Sequence, residues 1–153
     1  VHRLVPDREL FLCGGKIPFE LGLDGHSDAD VLIHAICDAI LGAAALGDIG
    51  QHFPDTDPKY KDADSSVLLK EVYRKLQDAG FEIINIDCTV IIESPKLGSY
   101  KDLIKEKIAG TLGIKKETIA VKAKTAEKML GELGTNDAVI AQSTVLIQQS
   151  TLS

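Results

Sequence analysis

Most residues of this chain whose types and spacing could do chemistry fall between Gly25 and Pro58. The stretch opens on His26-Ser27-Asp28, runs into a helix of small and apolar residues, and closes on a loop carrying Asp48, Asp55 and Asp57. Ser27 or Asp28 is expected to cap the helix, because a short side-chain oxygen accepts from the free N–H groups of a first turn. His26 and Ser27 would then stand at a helix N-terminus, where unpaired amides and the helix dipole attract phosphate. Inside the helix Asp30, His34 and Asp38 recur every fourth residue, which puts them on one face. Val31, Leu32, Ala35, Ile36, Ala39, Ile40 and Ala43 make an apolar band on the other side. A polar stripe on such a helix needs partners, since unpartnered buried polar groups are costly.

Each feature also has a plainer reading. A lone helical histidine is usually hydrogen-bonded or partly exposed, and Asp30 and Asp38 could be solvated. Asp38 could equally orient the His34 imidazole from one turn away. Asp48 in Gly-Asp-x-Gly could merely shape a turn, and Pro-Asp-x-Asp is common turn chemistry. The combination is what points to a binding site: a histidine at a capped N-terminus, a histidine within the helix, and acids downstream.

The elements that must position these groups are legible from periodicity. Residues 10–21 read as a hairpin turning at Gly14-Gly15. The first helix should end near Gly47, and residues 48–61, with Gly50, Pro54 and Pro58, read as a loop. A helix is expected over 64–79, stopped by Gly80, then a long strand over 81–93 with polar and apolar residues alternating. A helix over 99–112 closed by Gly113, a strand over 119–124, a loop or helical turn over 125–135, and a last strand over 137–148 complete the chain. The order ββ-α-α-β-α-β-β, with three helices among four or five strands, predicts an α+β two-layer sandwich with helices on one face of a single mixed sheet. The uncovered face would carry apolar residues and meet other subunits.

Composition narrows the function. The 153 residues suit one domain, spanning 1–153, that buries a core without staples. A net charge of -6 argues against a nucleic-acid partner. No apolar run reaches membrane-spanning length. Cys13, Cys37 and Cys88 are far apart in apolar settings, which suits reduced, buried thiols of a cytosolic protein better than disulfides or a thiolate metal site.

The run from His26 to Pro58, together with Glu93–Lys96 (ESPK) and Val121–Lys128 (VKAKTAEK), resembles the 2-C-methyl-D-erythritol 2,4-cyclodiphosphate synthase family over nearly the whole chain. The resemblance implies a homotrimer with active sites between subunits, in the bacterial cytoplasm, or in a plastid if a transit peptide has been removed. It implies conversion of 4-diphosphocytidyl-2-C-methyl-D-erythritol 2-phosphate, a CDP-linked small molecule, to the cyclic diphosphate with loss of CMP. It implies a zinc ion on His2 and His34. The family's third ligand, an aspartate two places before His2, falls outside this sequence, so a trimmed N-terminus and a shortened first strand are expected.

By the same resemblance, His26 and Ser27 stand at the phosphate and methylerythritol end. Asp48 and the Gly50 backbone hold the ribose, and Phe53, Asp55 and Asp57 belong to the following substrate loop. Pro95, Lys96 and Leu97 and Ala123, Lys124 and Thr125, from the neighbouring subunit, form the cytosine and α-phosphate pocket. Glu127 binds Mg²⁺ or Mn²⁺ between the phosphates, and His26, Thr125 and Glu127 carry the catalytic roles. Lys124 and Ala126 replace threonines common in the family, and Leu130–Asp137 lacks an arginine that some members carry.

The reaction would need no nucleophilic side chain, since the nucleophile belongs to the substrate, and no Ser/His/Asp or Cys/His arrangement is present. Imidazole nitrogens suit zinc, and a carboxylate such as Glu127 suits a hard ion. The competing readings are a metal-dependent phosphohydrolase with the same residues and a non-catalytic trimeric binder of isoprenoid diphosphates.

Overall fold

The computed structural model describes residues 1–151 except 26, 27, 55 and 61–63. Four short strands open the chain: β1 (His2–Pro6), β2 (Leu10–Leu12), β3 (Gly15–Ile17) and β4 (Leu21–Leu23). Helix α1 (Val31–Ala43) and the single turn α2 (Ile49–His52) follow, then α3 (Ser65–Asp78). The second half holds β5 (Phe81–Ile91), α4 (Lys101–Leu112), β6 (Ile119–Lys124) and β7 (Ala138–Gln149).

A five-stranded mixed sheet runs in the order β4-β1-β7-β5-β6, and β2 with β3 forms a separate hairpin. The hairpin expected over 10–21 is therefore shorter, because the chain leaves it after Ile17 and β4 pairs with β1 instead. The long antiparallel pair β5–β7 is the spine, with a register shift between Ile83 and Asn85. β5 and β6 are parallel, so the chain must cross from one end of the sheet to the other between them, and α4 supplies that crossover.

All three long helices pack on one face. α1 lies over β7 and β5, α3 over β5 and against α1, and α4 over β6. The alternation in β5 explains why: Ile86, Cys88 and Val90 point into the core and are fully buried. They meet Ile36, Ile40, Leu69, Val72, Leu76, Ile104 and Ile108 from the helices. Each such aliphatic side chain contributes about 1.5–3 kcal/mol by burial. The three cysteines are buried and unpaired, as expected. Burial pushes the Cys88 thiol up to about 11 and those of Cys13 and Cys37 higher still, so all three stay protonated at neutral pH.

Two expectations about α1 are corrected. Its cap is Asp30, whose carboxylate accepts from Ile33 N at 3.1 Å, rather than Ser27 or Asp28. Its end is Ala43 rather than Gly47, because Ala45 takes a left-handed conformation (φ 57°) and the Leu46 amide folds back to the Leu41 carbonyl at 2.8 Å. The loop after it is more regular than its composition suggests: α2 and a 3-10 turn at Pro58–Tyr60 lie inside residues 48–61.

The outer sheet face carries apolar residues, as expected, among polar ones. Leu146 is 57% exposed there, but Gln142, Thr144 and Gln148 share its side of β7, and Lys122 pairs with Asp87 at 2.9 Å across β6 and β5. Among the described residues no helix is long and apolar enough to cross a membrane.

Candidate active site

β1 and α1 meet at the edge of β7, and each brings a histidine. His2 pairs with Val139 on β7, over which α1 packs. The rings of His2 and His34 stand 5.3 Å apart, centroid to centroid, tilted by 48°. Two imidazoles sharing a tetrahedral zinc at Zn–N of about 2.0–2.1 Å would have centroids roughly 5 Å apart, so the observed spacing fits a shared cation. Burial holds the His2 pKa below its usual value, with the Val1 backbone opposing, and its Nδ1 is buried without a hydrogen bond of ordinary geometry among the described residues. A low pKa keeps the imidazole neutral, the form that ligates. Gly25 leaves room for the ring: a Cβ there would come within 2.8 Å of the Ala29 Cβ and 3.4 Å of His2 Cδ2.

The polar stripe of α1 resolves into three jobs. Asp30, fully buried, gives one oxygen to Ile33 N and the other to Gly14 N at 2.8 Å, which ties the β2–β3 turn to the helix. Burial raises its pKa to about 7 against the lowering effect of the backbone N–H groups of Cys13, Gly14 and Ile33. His34 lies in the cleft. Asp38 accepts the Ile49 N–H at 2.7 Å and so anchors α2; that bond, rather than one to the His34 ring, is what the structure gives its carboxylate.

The partner of His34 is a residue that sequence reasoning passed over. Ser65, the first residue of α3 and completely buried, has its Oγ 3.2 Å from His34 Nε2. Its hydroxyl donates to Asp28 Oδ1, and its backbone N–H donates to Asp28 Oδ2 at 2.9 Å. A hydroxyl has one proton to give. With that proton on Asp28, the Ser65 oxygen accepts from His34 Nε2–H. No local pattern announces this chain, because Asp28, His34 and Ser65 come from three segments that only the packing of α1 against α3 joins.

His2 and His34 line an open cleft of about 630 Å³, with Asp24, Asp38, Gly50 and Phe53 on its walls. Gly50 and Phe53, both candidates from the sequence, share this cleft with the two histidines. Asp48 acts as a cap: its Oδ1 accepts from Gln51 N at 3.0 Å, and Gln51 Oε1 accepts the Asp48 N–H at 2.9 Å. Asp57 accepts from Lys59 N at 3.0 Å, an Asx turn. His52 is half-buried with Nε2 2.8 Å from the Leu46 carbonyl oxygen. His26, Ser27 and Asp55 lie outside the described residues.

A second, smaller cleft of about 200 Å³ gathers Pro95, Lys96, Leu97, Ala123, Lys124 and Thr125. The sheet registers relate the two. His2 faces Val139, the neighbouring Ile140 faces Ile91, and Ile91 faces Lys124. Both clefts therefore open at the same end of the sheet, three strand spacings or about 14 Å apart. Glu127 is exposed beyond Thr125, whose Oγ1 accepts the Glu127 N–H at 3.2 Å. Among the described residues no group of three or more His, Cys, Asp or Glu side chains converges on one point. His2 and His34 form a pair, and Glu127 stands apart from it.

A mixed sheet covered on one face by helices, with two imidazoles facing each other in an open cleft and a Ser65–Asp28 hydrogen-bonded pair behind His34, defines the class: a two-layer α+β protein with a histidine-lined cleft. The YgbB family profile matches residues 1–148. The 2-C-methyl-D-erythritol 2,4-cyclodiphosphate synthase of Moorella thermoacetica is 55% identical over 147 residues, covering 96% of this chain and 90% of its own length. That of Laribacter hongkongensis is 53% identical over 148 residues, covering 97% and 91%. The chain belongs to the YgbB family, that of the 2-C-methyl-D-erythritol 2,4-cyclodiphosphate synthases.

Solved structures agree on the fold. The bifunctional IspDF of Campylobacter jejuni matches with a TM-score of 0.92 at 47% identity, over 97% of this chain and 40% of that one. A 2C-methyl-D-erythritol-2,4-cyclodiphosphate synthase in a CDP-bound form matches with a TM-score of 0.88 at 34% identity, over 96% and 95%. The CDP complex of IspF from Plasmodium falciparum matches at 0.85 and 31%, over 98% and 92%.

Proposed function

We propose that this chain catalyses the reaction for which its relatives are named: closure of 4-diphosphocytidyl-2-C-methyl-D-erythritol 2-phosphate to the 2,4-cyclodiphosphate, releasing CMP. The observation that carries the reading is the approach of His2 and His34 to 5.3 Å from opposite ends of the first 34 residues. In this reading the two rings supply ligands to one zinc ion, His34 through Nδ1 because Nε2 donates to Ser65. Glu127, a hard oxygen donor, takes Mg²⁺ or Mn²⁺. When bound, these ions offset the charge of one phosphate approaching another and polarise the phosphorus that is attacked.

The chain's own residues then bind and orient. The substrate's 2-phosphate oxygen attacks the β-phosphorus, the bond to the α-phosphate oxygen breaks, and CMP carries that oxygen away. Most of the rate comes from holding attacking and leaving oxygens in line. His26 and Ser27 bind the phosphate and methylerythritol end, Asp48 and the Gly50 backbone the ribose, and the loop of Phe53, Asp55 and Asp57 the substrate, with Asp55 at the methylerythritol hydroxyls. Pro95, Lys96, Leu97, Ala123, Lys124 and Thr125 receive the CMP half, and Thr125 contacts phosphate.

The separation of the two clefts by about 14 Å, three strand spacings, supports an assembly in which the second cleft of one chain faces the first cleft of a neighbour. We take that assembly to be a homotrimer packed through the outer sheet faces, in the bacterial cytoplasm.

Product analysis by phosphorus NMR tests the proposal on protein supplied with Zn²⁺, Mg²⁺ and the CDP-linked substrate. The cyclic diphosphate and CMP in equal amounts are expected. An open-chain phosphate would make the chain a hydrolase, and absence of CMP a binder; either overturns the proposal.

A further inference from the structure

Residues 125–137, between β6 and β7, carry Thr125 and Glu127 on a backbone that L-residues adopt reluctantly. Glu127, Lys128, Leu130 and Asn136 all have positive φ, between 52° and 64°. Something must hold such a segment, and the end of β5 does. A single oxygen, Glu93 Oε1, accepts the N–H of Ala126 at 2.8 Å and that of Lys128 at 3.1 Å, the residues on either side of Glu127. The amide between them, Glu127 N–H, goes to Thr125 Oγ1. The next residue, Ser94, donates its N–H to Asn136 Oδ1 at 3.1 Å and so fastens the far limb of the same loop. Gly134 lets the limbs touch: a Cβ there would lie 2.4 Å from the Lys128 carbonyl carbon and the Met129 oxygen. Ala126 is buried while Thr125, Glu127 and Lys128 are exposed, so the chain is pinned at its middle and presents its functional side chains outward.

We propose that Glu93 is a positioning residue for the reaction: by gathering two amides on one carboxylate oxygen it sets the left-handed backbone at Glu127, and with it the place of the Glu127 carboxylate and the Thr125 hydroxyl. This rests on the reading of Glu127 as a ligand for Mg²⁺ or Mn²⁺. Because one oxygen does the work, the charge of Glu93 is dispensable and its reach is not. Glu93→Gln keeps a carbonyl oxygen at the same distance from the backbone. Glu93→Asp keeps the charge but withdraws the oxygen by one methylene, about 1.5 Å, the length of a carbon–carbon bond. A role in charge balance would rank the two variants the other way.

The test compares Glu93→Gln, Glu93→Asp and Glu127→Gln in the full chain by hydrogen exchange over residues 124–130 and by Mn²⁺ titration followed by electron paramagnetic resonance, alongside turnover. Exchange over 124–130 should quicken about tenfold in Glu93→Asp and stay near the parent in Glu93→Gln. The Mn²⁺ dissociation constant should rise about tenfold in Glu93→Asp, with kcat falling more than KM changes, and should be restored in Glu93→Gln. Equal exchange in all three proteins, or Asp outperforming Gln, would overturn the positioning role. An unaltered Mn²⁺ titration in Glu127→Gln would instead overturn the metal reading of Glu127, and the exchange data would still decide what Glu93 does to the loop.

Discussion

The two clefts at one end of the sheet are built by opposite means. The first is backed by side chains already committed by folding: His34 on its wall joins Ser65 and Asp28 behind it in one hydrogen-bonded chain, with Ser65 completely buried. The second is made of backbone. Its polar side chains Lys96, Lys124 and Thr125, and Glu127 just beyond them, are exposed, and the hydrogen bonds near it run from main-chain amides to Glu93, Thr125 and Asn136. A buried polar network is rigid and intolerant of partial loss, since each unsatisfied member costs its full desolvation. An exposed lip adapts, and what touches it sets its energy. On the proposed function, this difference predicts a long-held ion at the first cleft and one that comes and goes with substrate at the second.

The largest effect should come from His34→Ala. Loss of a ligand contributing several kcal/mol of transition-state stabilisation is expected to lower turnover about a thousandfold, with zinc absent by elemental analysis. A zinc-free variant of full activity would erase the distinction between the clefts.

Ser65→Ala should fall next. Removing the group that orients a ligating imidazole costs about 10–100-fold in affinity or activity, read here as zinc retention against a competing chelator. An effect confined to melting temperature would reduce the Asp28–Ser65–His34 chain to packing.

Glu127→Gln sharpens the contrast from the other side. Half-saturating Mg²⁺ should rise about tenfold, because a charged hard ligand becomes a neutral one, while zinc content stays unchanged. Loss of zinc in this variant would mean that the two clefts share one ion.

The smallest expected effect is thermodynamic and concerns Asp30. Its folded pKa is raised from 3.8 to about 7, so between those values the folded state holds a proton that the unfolded state has released. Stability must then fall as pH rises through that window and level off above it. The shift from 3.8 to about 7 bounds the loss at about 4 kcal/mol. Urea melts at pH 4.5 and pH 8 should show the gap between the parent and Asp30→Asn narrowing as pH rises. A gap that widens would show that Asp30 is charged in the folded protein.

Much of the architecture is local and could be read without coordinates. The strand at 119–124 has the expected ends, and the ends of α3, β5 and β7 differ from the expected ones by a residue or two. Gly113 ends α4 in the left-handed conformation that a C-terminal glycine is chosen for. Motif reading assigned His2 and His34 to one ion and grouped residues 95–97 with 123–125, and the first pair and the second group each share a cleft. Asp30, Asp38 and Asp48 have the spacing and composition of site residues, but the bonds they make within the fold were not legible: the first holds a hairpin turn, the second anchors α2 and the third caps it.

Periodicity, turn chemistry and motif order, all properties of neighbours along the chain, determined the element types, the α+β class and the family. Which polar groups meet was decided only when α1 packed on α3 and the end of β5 came beside the loop after β6. A hydrogen bond depends on position to within a few tenths of an ångström, and residues 37 apart such as Asp28 and Ser65 acquire that position from the whole core rather than from any stretch of sequence between them.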